Sequence, residues 1–368
     1  MSGYEGKPVQ AAIVGLGWWG KKMATLVNAG GAEMHFVHGV DPNPAEQGFA
    51  AERGMRFSSE LGEALADPEV EAVILATPHS LHQSQIAQAV AAGKHVFCEK
   101  PLAMTRKDAE ASVALCEKAG LVLGMGHERR FEPPIAEILD AAATGRLGRL
   151  LQIEANFSHD KFLGLDPSNW RLDAEQAPAG GMTATGIHLT DLSVKLMGPA
   201  KDVRVICENL ASEIPQGDTM SAHIRFKSGG SAYVSATLAT PFISRFAVFG
   251  TLGWIEVRDK AHVESPDGWI VTEGWKDQPI TTREVSPAEP VRDNLRAFAR
   301  AVRGRETYPI SGEEMIDNIA LLEAIILSAR SGVRTTHSPT TRSPALKPVT
   351  LRPTSTISPL HSWPGVTG

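Results

Sequence analysis

AAIVGLGWWG (residues 11–20) is a short apolar run that leads directly into a G-x-G-x-x-G pattern. In such a loop Gly15 allows a tight turn, Gly17 lets the backbone approach a pyrophosphate, and Gly20 lets a helix pack on the strand. Residues 21–29 continue as a helix, whose free amides face the phosphates. With 34 glycines in the chain, the pattern alone is weak. It predicts cofactor contacts from Gly15, Leu16, Gly17, Trp18, Trp19 and Gly20.

The next predicted strand, residues 34–40, ends at Asp41, about 20 residues beyond the glycines. An acidic residue at this distance binds the adenosine ribose hydroxyls of NAD. Pro42 and Asn43 follow, and no Arg or Lys stands beside Asp41 to bind a 2′-phosphate. We therefore expect NAD rather than NADP. The alternative is that Asp41 is only a turn or cap residue.

Strands and helices then alternate along the first half of the chain. Such alternation predicts a doubly wound parallel sheet, whose ligands bind at the carboxyl ends of the strands. Glu99 and Lys100 follow the strand at 95–98, directly before Pro101. A partly desolvated lysine there can take part in proton chemistry, although a lone lysine at a strand end is more often a surface residue. The predicted strands are 11–14, 34–40, 72–76, 95–98 and 121–125, and the helices are 59–66, 83–92 and 106–119.

The loop TPHSLH (residues 77–82) lies at the carboxyl end of another predicted strand. We expect Thr77, Pro78, His79 and His82 to surround the nicotinamide end of the cofactor. Two histidines three residues apart also occur in metal sites. No third ligand with suitable spacing accompanies them, so we expect no metal.

The second half changes to alternating apolar and polar residues, and Gly229 and Gly230 indicate a hairpin. This pattern predicts a second, α+β domain with a large, mostly antiparallel sheet. Helices 290–302 and 313–330 are expected to cover that sheet. The predicted strands are 150–158, 202–208, 220–226, 232–238, 245–249 and 254–257.

A polar segment separates the first two strands of this second sheet. Trp170 and Arg171 come first, and a glycine-rich stretch then leads to His188 and Asp191. Because these two are three residues apart on a predicted helix, they are expected to share a face. A histidine beside a carboxylate can act as acid or base near neutral pH. The alternative is a hydrogen-bonded core histidine.

Composition limits the classes of partner. A net charge of -6 argues against nucleic acid or an anionic membrane. The widely spaced Cys98, Cys116 and Cys207 form no disulfide pattern, and no signal peptide or transmembrane stretch is apparent, which predicts a cytoplasmic protein.

Residues 331–368 are rich in Pro, Ser and Thr, which predicts a flexible tail. The expected domains are therefore 1–128, 129–330 and the tail 331–368.

The ordered set GLGWWG, Asp41, TPHSLH, AGKHVFCEKPLA, GHERRF, NWR and GIHLTDL resembles the Gfo/Idh/MocA oxidoreductases over roughly residues 8–330. The resemblance implies an N-terminal Rossmann domain and a C-terminal domain whose sheet forms homodimers or homotetramers. It also implies that Lys100 contacts the reacting hydroxyl, that the Lys100–Pro101 peptide is cis, and that His188 is the acid/base.

Two positions depart from the family pattern. His79 stands where Asn is common, and Ala184 stands where an Asp four residues before the histidine is common. The usual Lys–Asp–His relay is therefore incomplete. Asp191 and a group of the substrate are the two candidates to replace the missing carboxylate.

The leading prediction is an NAD-dependent dehydrogenase or reductase acting on a CH–OH group of a sugar, polyol or cyclic hydroxylated compound. Lys100 and His188 are the expected catalytic residues, and Glu99, Lys100, Trp170 and Arg171 are expected at the cofactor. Substrate contacts are expected from Lys100, Arg129, Thr185, His188 and Asp191. The alternatives are a glycoside hydrolase or lyase that retains NAD, and a non-enzymatic sensor of sugars or dinucleotides.

Overall fold

The computed structural model describes residues 6–28, 33–332 and 335–336. The described helices are α1 (Trp18–Asn28), α2 (Gln47–Glu52), α3 (Leu61–Ala66), α4 (His82–Ala91), α5 (Arg106–Ala119), α6 (Pro133–Ala143), α7 (Ile187–Met197), α8 (Pro290–Val302) and α9 (Gly312–Ser331). The described strands are β1 (Val9–Val14), β2 (Met34–Val40), β3 (Arg56–Ser58), β4 (Ala72–Leu75), β5 (His95–Cys98), β6 (Leu123–Met125), β7 (Leu150–Ser158), β8 (Ala200–Glu208), β9 (Thr219–Phe226), β10 (Ser231–Thr237), β11 (Ile243–Gly250), β12 (Gly253–Asp259), β13 (Trp269–Trp275), β14 (Thr281–Val285) and β15 (Thr335–Thr336).

The first sheet is parallel throughout, with strand order β3-β2-β1-β4-β5-β6. Every residue of β1 and β4 is buried, and all except Gln10 are apolar, as expected for strands whose two faces are both covered by helices. This confirms the predicted doubly wound Rossmann sheet. The strand order reverses between β1 and β4, so the crevice outside the carboxyl ends of these strands is the expected ligand site.

The second sheet has nine strands, in the order β14-β13-β12-β11-β7-β10-β9-β8-β15. Neighbouring strands are antiparallel except β7 and β10, which pair in parallel. The predicted mostly antiparallel sheet is confirmed. Strands β13 and β14 were not predicted, and β14 has no buried residue because it is an exposed edge strand.

Helix α8 corrects one expectation, because it packs on the first sheet and not on the second. The Phe298 ring lies edge-on to the ring of Phe97 in β5, with the ring centroids 5.6 Å apart. The ring fits there because Gly124 of β6 has no side chain: a Cβ atom at Gly124 would lie 2.7 Å from the Phe298 ring. Arg303 at the end of α8 also pairs with Glu71 before β4. Helix α8 therefore belongs structurally to the first sheet.

Buried hydrogen bonds hold Met125, the last residue of β6. Tyr308 contacts both backbone polar groups of Met125 at 3.0 Å, and Asn294 of α8 donates to its carbonyl at 2.9 Å. The Tyr308 hydroxyl also donates to the Asn294 side chain at 2.6 Å. These buried bonds fix where the chain leaves the first sheet.

The second sheet continues into the start of the predicted tail. Helix α9 ends at Ser331, Gly332 caps it in the left-handed conformation, and Thr335 pairs with Val203 of β8. The remainder of the predicted tail lies outside the described residues. Within the described residues, none of the helices has the length and apolar character needed to cross a membrane.

Candidate active site

The glycine loop between β1 and α1 has the shape that a bound pyrophosphate needs. Gly15 has a φ of +92°, and a Cβ atom there would lie 2.7 Å from the Ala76 carbonyl oxygen. At Gly20 a Cβ atom would lie 1.8 Å from the Gly15 carbonyl oxygen. By contrast, the space beside Gly17 is open, with no atom within 4 Å of a Cβ built there. The open space and the first amides of α1 together fit a phosphate group.

Asp41 follows β2 and lies beside this loop. Its Oδ2 accepts a hydrogen bond from the Leu16 amide at 2.7 Å, and Oδ1 accepts one from the Asn43 amide at 2.9 Å. The carboxylate is partly exposed and has lone pairs left for ribose hydroxyls. The residues present therefore fit a dinucleotide.

A cleft opens where the carboxyl ends of β4 and β5 face the loops of the second sheet. Ten of the residues predicted to bind cofactor or substrate line it: Trp18, Trp19, Thr77, His79, Glu99, Lys100, Trp170, Arg171, Thr185 and His188. Twelve further residues complete the lining: Ala76, Glu128, Phe157, His159, Lys161, Phe162, Ala177, Thr183, Ala184, His262, Val263 and Glu264.

Lys100 reaches the cleft from the end of β5. The Lys100–Pro101 peptide is cis, as the resemblance implied. The ammonium group donates a hydrogen bond to the Ala184 carbonyl oxygen at 2.6 Å. Burial lowers the pKa of Lys100, while the carboxylates of Glu99 and Glu128 act in the opposite direction. The lysine can therefore donate further hydrogen bonds to a ligand in the cleft.

The carbonyl that receives Lys100 belongs to a π-helical turn, Met182–Gly186, directly before α7. Such turns occur frequently at functional sites because they displace backbone groups from the regular helical ladder. The Thr185 hydroxyl is committed to backbone carbonyls, with Phe157 at 2.9 Å and Gly181 at 3.1 Å. Thr185 therefore anchors the turn to β7, and Ala184 contributes its backbone.

His188 lies in the first turn of α7 and is 3% exposed. Its Nδ1 is buried without a hydrogen-bond partner, and the nearest carboxylate oxygen is Glu128 Oε2 at 3.6 Å. Burial, with Lys100 nearby, holds the pKa of His188 well below its ordinary value. The imidazole is therefore neutral near pH 7 and able to accept a proton.

Glu128 is a site residue that the sequence analysis missed. It follows His127 beyond the end of β6 and is 5% exposed. Burial raises the pKa of Glu128 to about 7, and the charge of Glu99 acts in the same direction. A signal was available, because the carboxyl-end rule that selected Lys100 after β5 also applies to the strand that precedes Glu128.

Several residues predicted near the nicotinamide lie where the loop after β4 meets the segment that carries Trp170. His79 Nδ1 lies 3.0 Å from the Gln176 carbonyl oxygen, and the His79 ring stands edge-on to Trp170, with the ring centroids 4.6 Å apart. The Arg171 guanidinium lies 4.4 Å from the Trp170 ring centroid. The Thr77 hydroxyl donates to the Gln85 side chain at 2.6 Å. The segment carrying Trp170 thus meets the loop after β4.

His82 and Pro78 do not line the cleft. The His82 ring is fully buried, with Nδ1 2.7 Å from the Pro101 carbonyl oxygen and Nε2 3.0 Å from the Thr77 carbonyl oxygen. It connects the loops after β4 and β5, and both of its ring nitrogens are already hydrogen-bonded. Pro78 precedes the short 3-10 turn that leads into α4.

Arg129 and Asp191, both expected at the substrate, are also placed elsewhere. Arg129 is 2% exposed and pairs with Glu132 and Asp259. Asp191 is 1% exposed and accepts two hydrogen bonds from Arg130, both at 2.7 Å. Eight consecutive residues of α7, 187–194, are buried. On such a stretch of helix every side chain meets a neighbouring element. Spacing alone therefore could not show that His188 lines the cleft while Asp191 pairs with Arg130.

The second sheet supplies an aromatic wall that the sequence analysis did not identify. The His262 ring centroid lies 5.7 Å from that of Phe157 and 5.8 Å from that of His159. The His159 centroid lies 5.3 Å from that of Phe162 and 6.5 Å from that of Phe157. Burial lowers the pKa of both His159 and His262 to about 4, with Lys161 contributing, so both rings are neutral. The cleft thus has one aromatic side and one side with the titratable side chains of Lys100, Glu128 and His188.

The described residues include no group of three His, Cys, Asp or Glu side chains arranged to hold a metal ion.

Two family models match most of the described chain. A model described as an oxidoreductase family with an NAD-binding Rossmann fold matches residues 9–127. A model of the GFO/IDH/MocA C-terminal domain matches residues 135–256.

Similar proteins include sugar and inositol enzymes. The chain is 31% identical to 1,5-anhydro-D-fructose reductase of Ensifer adhaerens over 298 residues, covering 77% of this chain and 87% of the reductase. It is 28% identical to scyllo-inositol 2-dehydrogenase (NAD(+)) of Bacillus subtilis over 337 residues, covering 88% of this chain and 95% of the dehydrogenase. Among solved structures, the WlbA dehydrogenase from Bordetella pertussis, in complex with NADH and UDP-GlcNAcA, superposes with a TM-score of 0.74 at 28% identity. The match covers 89% of this chain and 98% of the WlbA chain.

Proposed function

Because the chain belongs to the Gfo/Idh/MocA family of oxidoreductases, we propose that it interconverts a secondary alcohol and a ketone of a cyclic, polyhydroxylated compound. The observation that carries the proposal is the arrangement of Lys100 and His188 in one cleft, beside a loop that fits a dinucleotide. The similar proteins named above act on or bind ring compounds with several hydroxyl groups.

A bound nicotinamide would supply the hydride acceptor. In the direction of oxidation, Lys100 donates a hydrogen bond to the substrate oxygen and stabilises the negative charge that develops on it. The neutral His188 takes the hydroxyl proton. The aromatic side of the cleft, with Phe157 and Phe162, packs on the less polar face of the substrate ring and excludes water. Reduction runs through the same groups in reverse.

The test is a screen of sugars, polyols and cyclic diols with NAD, following NADH absorbance, with NADP in parallel. Formation of NADH with one of these compounds supports the proposal. Cleavage of a glycoside without net NADH would instead identify a hydrolase or lyase that retains its cofactor. Ligand binding without turnover of any compound would identify a sensor.

We propose NAD as the preferred cofactor because of the position of Asp41. Its carboxylate would accept hydrogen bonds from the adenosine ribose hydroxyls and would repel a 2′-phosphate. Asp41→Ser is expected to weaken NAD binding roughly 10-fold or more, since hydrogen bonds to charged groups contribute about 1.5–3 kcal/mol. Calorimetric titration of NAD and NADP measures both affinities.

Asp41→Asn is the matched control, because its amide oxygen can still accept from the Leu16 amide while the negative charge is lost. It should keep the loop intact and narrow the preference for NAD over NADP. Tighter binding of NADP than NAD by the wild-type protein would contradict the assignment.

We also propose that the outer face of the second sheet joins two copies of the chain. Exposed Ile206 and Tyr233 lie on this face, and Tyr233 stacks on His223. The face carries both signs of charge, including Arg245 paired with Glu154. A mixed surface of this kind can be complementary to itself about a two-fold axis.

Ile206→Glu is expected to shift the protein toward monomers, because it places a charge in the apolar part of the shared face. Sedimentation velocity measures the change in mass. The exposed Leu115 on α5 provides a matched control away from this face, and Leu115→Glu should leave the mass unchanged. A monomeric wild-type protein would contradict the proposal.

A further inference from the structure

Three carboxylates line the cleft in the described part of the chain: Glu99, Glu128 and Glu264. Glu264 pairs with Lys161. Glu99 accepts a hydrogen bond from the backbone amide of Lys100 at 3.2 Å. Glu128 is the carboxylate that approaches His188.

The approach of these two side chains is nearly a hydrogen bond. Glu128 Oε2 lies 3.6 Å from His188 Nδ1, which is buried and has no other partner. A buried polar atom without a hydrogen-bond partner costs about 1–3 kcal/mol, so a small rotation that closes the gap is favourable. Hydrogen bonds of acid–base groups are often long in the free enzyme and shorten when substrate binds.

We propose that Glu128 sets the tautomer of His188 by accepting a hydrogen bond from its Nδ1–H, an inference that rests on the proposed oxidoreductase function. Nε2 then carries the free lone pair. During oxidation the substrate O–H bond breaks and its proton moves to Nε2, the hydride leaves the carbon with its electron pair, and the C=O bond forms. Glu128 acts through His188 and is therefore a positioning residue, whose negative charge stabilises the imidazolium.

Asp191, the candidate from within this chain to replace the missing carboxylate, does not meet the geometry. Asp191 accepts two hydrogen bonds from Arg130 and has its next titratable neighbour in His127, at 3.7 Å. Position 184 offers only a backbone carbonyl, which is occupied by Lys100.

The proposal implies a pH dependence, because only the ionised Glu128 can orient the ring. Burial raises the pKa of Glu128 to about 7, so kcat/KM for oxidation is expected to rise as pH increases through about 7. The titratable and charged groups that act on Glu128 come from four elements: Lys22 of α1, Glu99 and Lys100 after β5, Arg129 and Glu132 after β6, and His188 of α7.

Glu128→Gln removes the charge and keeps the shape. The variant is expected to lower kcat/KM roughly 100-fold, at the low end for general acid–base catalysis, and to lose the rise near pH 7. Glu132→Gln is the matched control, since Glu132 is also buried but pairs with Arg129. It should keep the wild-type pH profile. A Glu128→Gln profile that still rises near pH 7 would overturn the proposal.

A second measurement needs no substrate. Nitrogen-15 NMR of the free protein above pH about 7 should show His188 with its proton on Nδ1, and Glu128→Ala should move that proton to Nε2. A wild-type ring protonated on Nε2, or a tautomer unchanged in Glu128→Ala, refutes the proposal. If no sugar, polyol or cyclic diol is oxidised, the proposed function fails, while the tautomer still decides the role of Glu128.

Discussion

Replacement of Lys100 by alanine is expected to lower turnover at least ~100-fold while NAD still binds. General acid–base and hydrogen-bonding groups contribute ~100- to 10,000-fold, and Lys100 is the ammonium group that reaches the cleft from the end of β5. The dinucleotide loop lies after β1 and does not depend on this side chain. Steady-state kinetics with the substrate found in the screen, and calorimetric titration with NAD, measure the two effects separately.

Lys94 provides a matched control at the opposite end of the same strand. Its ammonium group also donates to backbone carbonyls, those of Val70 at 2.6 Å and Asp67 at 3.0 Å, but it lies far from the cleft lining. Lys94→Ala should therefore keep the wild-type turnover. Equal turnover in Lys100→Ala and wild type would refute the role of Lys100.

Arg130→Ala is expected to lower the free energy of unfolding by about 3–5 kcal/mol, because it leaves the buried Asp191 without its partner. The guanidinium donates to both oxygens of Asp191 at 2.7 Å and to Glu314 at 2.6 Å. Glu314 retains Lys195 in the variant. Urea unfolding followed by tryptophan fluorescence measures the loss.

The loss should depend on pH in a defined direction. Burial opposes the charge on Asp191, but Arg130 outweighs it, so the folded-state pKa of Asp191 lies below its ordinary value. The stabilisation is therefore present above the ordinary aspartate pKa of about 4 and is lost as pH falls through the lowered pKa. The difference between wild type and Arg130→Ala should be largest near neutral pH and should shrink in acid.

A double variant separates the missing pair from a general loss of packing. Arg130→Met with Asp191→Leu removes both charges and is expected to recover most of the stability, since apolar pairs commonly replace buried ion pairs at little cost. A double variant as unstable as Arg130→Ala alone would show that the ion pair is not the cause.

The sequence was sufficient where local patterns determine structure. The apolar strands and the glycine loop predicted the first sheet, because parallel strands buried on both faces read as continuous apolar runs. Helix α8 shows the limit. Its sequence predicts an amphipathic helix but does not say which sheet receives its apolar face. That choice depends on the space above Gly124, which exists only once β5 and β6 pair.

The same limit applies to the cleft. The presence of Lys100 and His188 in the cleft could be predicted because each lies within a recognisable motif. His159, Phe162 and His262 could not, since they lie on loops whose meeting is set by the second sheet. Asp191 was assigned to the substrate from helical spacing, yet its side chain meets Arg130, which spacing within one helix cannot reveal.

The hydrogen bond from Lys100 to the Ala184 carbonyl also bears on how this site can change during evolution. A backbone oxygen is present whichever amino acid occupies position 184, so a substitution there does not remove the acceptor that orients the lysine. The side chain at this position lines the cleft but is not needed to orient Lys100. New substrate preferences can arise there by single substitutions, with the lysine kept in place throughout.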